Sequence, residues 1–496
     1  MGKQIYTLPI NRVEGDLELR IRIDDGRIAD AWSAGIMYRG FENIMRGRAP
    51  LDSLVITPRV CGICTTAHLT AAAQALDEIF AAHLPDNGKR VRNICLGAEI
   101  LQNDVRHSLM LYMCDFANPR FERQPLFDQA CRRYRPLRGR SAQECIAATR
   151  QILEIVAILG GQWPHSSFMV PGGVVSVPSR ADISQCRYLL EQFRDWYEKQ
   201  ILGCSIARWQ SVQSQAMLDR WLNENPSHAD SDLGFFIRFA RAIGLDRMGA
   251  GHGHMLSVGL FDTPGATNGS QKLLPAGFFK AGDTTPFQQE VISEDISHAW
   301  YTDDEVSRHP FDETTIPYAT GNEGPKYSWC KAPRYQGLPA ETGPLAELAV
   351  AGNPLIRDIL RRHGVSAWAR QLARIIRPAV ILPKLDEWLQ ELICSRDVFF
   401  HPYHACPDGR GIGLVEAPRG ALGHWAQIEN NQISQYQIIT PTAWNASPRD
   451  SRDVRGPWEQ ALLGVEIADP QNPIEAGLVI RSFDPCLVCT VHAVSL

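Results

Sequence analysis

The chain has 496 residues, 44% hydrophobic and 21% charged, with a formal charge of -5 and a pI near 6.3. That balance excludes intrinsic disorder. The absence of any apolar run of about 18 residues gives no spanning helix, and there is no global basic footprint for nucleic acid. The length allows about three domain-sized units or one large α/β core. The N-terminal Met1-Gly2-Lys3-Gln4-Ile5 has neither an apolar signal region nor a twin-arginine pair, so a cytoplasmic chain, membrane-associated only through partners, is expected.

In chain order, Leu17, Leu19, Ile21 and Ile23 alternate with Glu18, Arg20, Arg22 and Asp24, and Asp25-Gly26 supplies a tight turn. A β-hairpin over 16–32 is expected. The stretches 66–83, 90–116, 143–160 and 178–224 are rich in helix formers at helical spacing, giving a helical core over about 66–224. Within it the basic stretch Arg132 to Arg140 reads as a solvated face or a protein contact. Residues 226–345, richer in Gly, Pro, Asp and Thr, read as a loop-rich insertion with short strands. Helical spacing returns over 346–397, and 402–496 carries Gly-rich turns and β-like runs such as Ile433 to Thr440. There is no fixed-period repeat, no phosphate-cradling G-x-x-x-x-G-K-S/T and no H-E-x-x-H. Gly409, Gly411 and Gly413 do not make G-x-G-x-x-G.

Thirteen cysteines, an odd number, argue against a disulfide framework and for reduced thiols. Two C-x-x-C pairs stand out: Cys61 and Cys64, followed by His68, and Cys486 and Cys489, followed by His492. One such pair grips a metal from a single turn, and two make a four-sulfur site. Zinc staples usually close over short separations, whereas these pairs sit at opposite ends of the chain. A site that needs the whole fold to assemble suits a buried reactive metal. Soft thiolates select zinc, copper, iron–sulfur or nickel, and spacing alone leaves these, and unrelated core cysteines, open.

Arg59-Val60-Cys61-Gly62-Ile63-Cys64-Thr65-Thr66-Ala67-His68 and Asp484-Pro485-Cys486-Leu487-Val488-Cys489-Thr490-Val491-His492 resemble the two signatures of the large subunit of nickel–iron hydrogenases. Further matches are Arg12-Val13-Glu14-Gly15, Arg39-Gly40-Phe41-Glu42, Val170-Pro171-Gly172-Gly173, Glu416-Ala417-Pro418-Arg419-Gly420 and Pro441-Thr442-Ala443-Trp444-Asn445, so the resemblance runs along the whole chain. Related quinone-reductase subunits share the fold but lack the four cysteines. The resemblance implies a single domain over 1–496 of helix-dominated α/β (α+β) class, with a central long-helix bundle and small peripheral sheets. It implies oxidation of dihydrogen to protons and electrons, reversible in principle. A sensing subunit with slow turnover that signals to a kinase is the alternative, and a zinc-stabilised scaffold survives only if the resemblance misleads.

The resemblance also assigns roles. Cys61 and Cys486 become terminal nickel ligands, and Cys64 and Cys489 bridge nickel to an iron carrying carbonyl and cyanide ligands. Pro418, Arg419 and Thr442 surround those small ligands, with Asp484 and His68 behind the thiolates. Arg419 and a terminal thiolate, Cys486, would assist cleavage, and Glu14 would relay the proton outward. Read without the family, Glu14 is a solvated charge, and Pro418, Arg419 and Thr442 are a turn, a surface arginine and a cap. Glu42, His492 and a backbone carbonyl near Ile438 match a magnesium or iron site. Electrons would leave to a small iron–sulfur subunit in an obligate heterodimer, since no further cysteine cluster remains here, and maturation proteins would insert nickel and iron.

Two departures stand out. Many relatives have an aspartate where this chain reads Asn103 before Asp104, a one-position shift that turns the carboxylate about 100° around a helix and weakens the case for Asp104. Only Ala493 to Leu496 follow His492, where processed relatives carry a longer tail, so retention of these residues is expected. That feature and the C-terminal signature look most like the cytoplasmic uptake and hydrogen-sensing branch. Ile63 is bulkier than the valine often found there, and Leu111 matches the ordinary leucine.

Overall fold

The alternation at Leu17, Leu19 and Ile21 buries the apolar set and leaves Glu18, Arg20 and Arg22 part-exposed. The structure is a computed structural model that describes residues 4–9, 17–265, 271–302, 307–312, 316–321, 324–403 and 408–486. Strands Leu17–Asp24 and Arg27–Gly35 pair antiparallel around Asp25 and Gly26, whose φ values of 48° and 74° are what a two-residue hairpin turn needs. A third strand, Gln4–Pro9, adds to the free side of Leu17–Asp24. It is six residues long and ends in proline, so its sequence does not announce it. Leu17, Leu19, Ile21, Trp458, Leu462 and Ile480 share one core, which fastens the N-terminal sheet to the Pro457–Leu462 and Ile474–Arg481 helices.

The main core is built on the Asp86–Arg106 helix, buried on nearly every side. It packs against the Thr65–Ile79, Arg140–Gly160 and Pro378–Cys394 helices, and Arg180–Trp196 packs on the last two. Gly97 lets Pro378–Cys394 approach, since a Cβ there would meet Leu385 Cδ2 at 2.7 Å. Beyond Arg106 the helix widens into a π-helical turn, His107–Tyr112.

Helix persists past residue 226, where the sequence pattern suggests a loop-rich segment. Pro226–Asp230 and Asp232–Ala242 are helical, and short strands begin only at Met255–Ser257. The Asn225-Pro226 punctuation starts a new helix rather than ending the helical region, with Asn225 capping it. Ser231 caps the next helix, whose Leu233, Phe235, Phe236, Ile237 and Phe239 are buried.

Near the C-terminus, strands Gly409–Ala417, Gly420–Glu429 and Gln432–Ile439 form an antiparallel meander. The meander lies on the Thr65–Ile79 helix, and Gly411 and Gly413 make that possible. A Cβ on Gly413 would sit 1.8 Å from the Ala71 carbonyl oxygen, and one on Gly411 2.1 Å from that of Ala75. The architecture is a helix-dominated α/β fold with small peripheral sheets. Among the described residues no helix is long and apolar enough to cross a membrane.

Candidate metal centre

The first C-x-x-C lies between the turn Thr57–Arg59 and the Thr65–Ile79 helix. Arg39 shapes the loop by donating from Nη1 to the Val60 carbonyl (2.7 Å) and from Nη2 to that of Arg59 (2.8 Å). Behind it the buried Glu99 carboxylate accepts from the Thr66 and Ala67 amides at 2.9 and 3.1 Å and from Trp163 Nε1 at 3.0 Å. Two of the helix's otherwise unpaired first amides are satisfied in this way. Burial pushes the Glu99 carboxyl up to about 7, although its hydrogen bonds pull the other way.

Cys486 arrives from the end of the Ile474–Arg481 helix, where Asp484 adopts a left-handed φ of 58° and redirects the chain. Its amide donates to Thr442 Oγ1 at 3.1 Å. The thiols of Cys61, Cys64 and Cys486 lie within 4.8 Å of one another, all buried. Cys61 and Cys486, 425 positions apart in sequence, are 3.3 Å apart. Among the described residues this is the one group of three or more histidine, cysteine and acidic side chains with metal-binding geometry. Cys489, His492, Glu14 and Ala493 to Leu496 lie outside the described residues.

Arg419 Nε donates to Asp484 Oδ1 at 3.1 Å, while its buried Nη1 has no hydrogen-bond partner among the described residues. Burial works against the Arg419 cation. Asp484, followed by Cys486, Cys64 and Cys61, outweighs it and holds the guanidinium protonated. Asp484 itself accepts from Asn103 Nδ2 at 2.6 Å and lies 3.0 Å from His107 Nδ1 and 3.7 Å from Arg374 Nε. Burial alone would raise its carboxyl, but Arg419 and His107 lead the groups that hold it far below the usual carboxylate range.

His68, one helical turn beyond Cys64, is fully buried. Its Nδ1 lies 3.1 Å from His424 Nε2, and its Nε2 has no partner among the described residues.

Asp104 does not join this ring. Its carboxylate meets Arg377 Nε and Nη2 at 2.9 and 2.7 Å, and Arg377 Nη2 also donates to the Pro418 carbonyl at 2.6 Å. Asp104 therefore braces Pro418 at second hand, and Asn103 takes the position facing Asp484. The one-residue offset along the helix has this outcome. Sequence reasoning missed Arg374 and Arg377. Their signal was an arginine stripe, Arg370, Arg374 and Arg377, spaced i, i+4, i+7 on otherwise apolar helices.

Glu42 is buried, with Oε1 accepting from the Ile438 amide at 3.2 Å and Oε2 lying 3.5 Å from Lys331 Nζ. It is thus the Ile438 N–H that meets Glu42. Lys331 also reaches Glu294 at 3.5 Å and Gln437 Oε1 at 2.9 Å, so hard oxygen donors gather here around one ammonium.

The donor set can be tested against the metals it implies. Three soft thiols and an uncommitted buried guanidinium N–H fit a soft transition metal whose own small ligands accept hydrogen bonds.

The family model for nickel-dependent hydrogenases matches residues 39–121 and 238–492. The chain belongs to the nickel-dependent hydrogenase family. It is 29% identical to the large subunit of the periplasmic NiFeSe hydrogenase of Desulfomicrobium baculatum, over 98% of this chain and 94% of that protein. It is also 29% identical to the hydrogenase-2 large chain of Escherichia coli (strain K12), over 100% of this chain and 98% of that one. Among solved structures, the Ni-Fe-Se hydrogenase from D. vulgaris Hildenborough in the reduced state superposes with a TM-score of 0.84 at 30% identity, covering 99% of this chain and 100% of that chain. This hydrogenase shares family and fold with proteins whose names include a periplasmic one, so the likeness carries no compartment for it.

Proposed function

We propose that this hydrogenase chain is the catalytic large subunit of a nickel–iron enzyme that oxidises dihydrogen to two protons and two electrons. The observation that carries the reading is the convergence of Cys61, Cys64 and Cys486 beneath a protonated Arg419 with a free N–H. In this reading Cys61, Cys64, Cys486 and Cys489 would hold the nickel, with Cys64 and Cys489 also offering their thiolates to the iron. Thr442, Pro418 and Arg419 would offer the polar surroundings for small acceptor ligands, carbonyl and cyanide, on that iron. When bound, the metal pair supplies the Lewis acidity for heterolytic cleavage. The chain's own groups do the rest. The Cys486 thiolate takes the proton, Glu14 relays it outward, and Arg419, oriented by Asp484, presents fixed positive charge to the open side of the centre. Glu42, Ile438 and His492 would hold the magnesium or iron, with Glu42 buried beside the Ile438 backbone.

Electrons require a partner, because the remaining described cysteines form no cluster of metal-binding geometry. Ile36, Ile44, Leu51 and Val55 stay exposed on the segments that lead into the Cys61 loop, which supports an iron–sulfur small subunit docking there. The purified complex should reduce a viologen dye under hydrogen, and the chain without its partner should show little reduction. Cys489→Ser should lose nickel and activity together. Normal nickel and activity in that variant, or full activity from an isolated chain free of iron–sulfur clusters, would overturn the reading.

A further inference from the structure

A cleft of about 910 Å³ shares no lining residue with the metal centre and falls in the size range of small-molecule sites. Three segments wall it: the loop 251–254, the hairpin of strands Gly277–Lys280 and Asp283–Thr285, and the helix Pro354–His363. Phe279, Leu360 and Val365 give it an apolar wall.

Its rim is cationic. Lys280 ends its strand at a two-residue turn over Ala281 and Gly282, whose φ values of 51° and 95° suit such a turn. It is exposed and pairs with no carboxylate among the described residues. Arg357 is held by Nε to the Ala349 carbonyl at 3.0 Å and by Nη2 to Thr284 Oγ1 at 2.8 Å, with Cζ 5.5 Å from the centroid of the Phe279 ring. Arg361 meets Asp358, but that carboxylate also accepts from Arg362 and from the Gln215 amide. Three cations thus stand here against one carboxylate already occupied, and their complement is an anion.

The cleft also carries two acceptors of fixed tautomer. His252 Nε2 lies 2.9 Å from the Arg455 carbonyl and His254 Nδ1 lies 3.2 Å from that of Pro339. A carbonyl oxygen only accepts, so those nitrogens hold the ring protons and the other two, His252 Nδ1 and His254 Nε2, are bare acceptors in the neutral rings. Burial outweighs those hydrogen bonds and lowers both histidines from their usual value, with the Lys280 charge adding to it at His254. Neither bare nitrogen has a partner among the described residues, and both stay open to solvent. The rings are nearly parallel, 10° apart with centroids at 5.9 Å, an arrangement that suits a further flat ring. No third ligand side chain joins them among the described residues, so they do not make a three-ligand metal site.

Inorganic phosphate would answer the cations and leave the apolar wall wet. A sugar phosphate adds hydroxyl donors but no flat face. A purine mononucleotide supplies the anion, the donors and the planar ring together. We propose that the cleft binds a purine mononucleotide, with its phosphate at Lys280, Arg357 and Arg361 and its base beside His252 and His254, donating to a bare imidazole nitrogen. The site stands independently of the nickel–iron reading.

The test is equilibrium dialysis of the assembled complex with labelled AMP and GMP. At least one should be retained at one site per chain. Its nucleoside, ribose 5-phosphate and inorganic phosphate should each bind about tenfold or more weakly, since each lacks one of the contacts. Lys280→Glu should weaken the nucleotide about tenfold or more and leave the nucleoside unchanged. His254→Phe keeps a flat ring but removes an acceptor, so it should weaken nucleotide and nucleoside alike and leave inorganic phosphate unchanged. Lys280 is exposed, so Lys280→Glu decides alone if His254→Phe does not fold. Retention of neither nucleotide at millimolar concentration would overturn the proposal, as would retention unchanged in Lys280→Glu. Inorganic phosphate binding as tightly as the nucleotide would also overturn it, by showing an anion site that does not read the base.

Discussion

Asp484 shows how much chemistry one residue can organise when it is held in an uncommon conformation. Its left-handed backbone turns the chain between helix and ligand, and its carboxylate collects Arg419, Asn103 and His107. Arg419 is thereby oriented through Nε and left with a free Nη1. A lysine there carries the charge as a single point and cannot bind Asp484 while presenting a second donor in the same plane. Arg419→Lys should therefore keep both metals and lose activity by ~10²–10³-fold, the range for removing one oriented donor from a catalytic site. Steady-state dye reduction with parallel metal analysis checks this, and near-wild-type turnover would contradict it. At this scale the sequence was legible where residues fall in contiguous signatures. Cys61, Cys64 and Cys486 converge as the two C-x-x-C pairs suggest. The Asn103 and Asp104 offset also follows from helical geometry. Arg377 and His424 were not legible, because each matters through a contact with a residue far away in sequence.

The elements that carry the site are set by a few sharply placed residues. The Thr65–Ile79 helix presents His68, begins at Cys64, is capped by Glu99 from the neighbouring helix, and receives the meander through Gly411 and Gly413. Those glycines read in sequence only as a failed nucleotide motif. Their role needs the helix that lies against them, and a one-dimensional pattern does not supply it. Glu99 gives the cap a pH signature. Its carboxyl is raised to about 7 in the fold, against ~4.3 for an unfolded glutamate. A group raised in this way binds its proton more tightly folded than unfolded, so it favours folding at low pH and loses that contribution as pH rises toward 7. Asp484, held low by its cations, does the opposite and loses its contribution only below ~4, where the unfolded aspartate protonates. Relative to Glu99→Gln, the wild type should therefore lose unfolding midpoint as pH rises from about 5 to about 8. An identical slope in the two proteins would contradict the assignment of Glu99 as a raised, proton-binding cap.

At the scale of the molecule, the fold serves to bring the two ends of the chain together. The N-terminal sheet packs on the last two helices, and the first cysteine pair meets Cys486 across the main core. The helical middle was legible from its spacing, since long amphipathic segments need little context. The Gln4–Pro9 strand and the helices over 226–242 were not, because proline and a short apolar run read locally as breaks. A site assembled from both termini exists only in the completed fold, which separates it from a local zinc staple. What the molecule does therefore turns on which metal that assembly holds. Infrared spectroscopy of the purified complex tests it most directly. Carbonyl and cyanide stretching bands, in a protein containing nickel and iron, are the result predicted, and a complex that holds zinc at these cysteines and shows no such bands would contradict it.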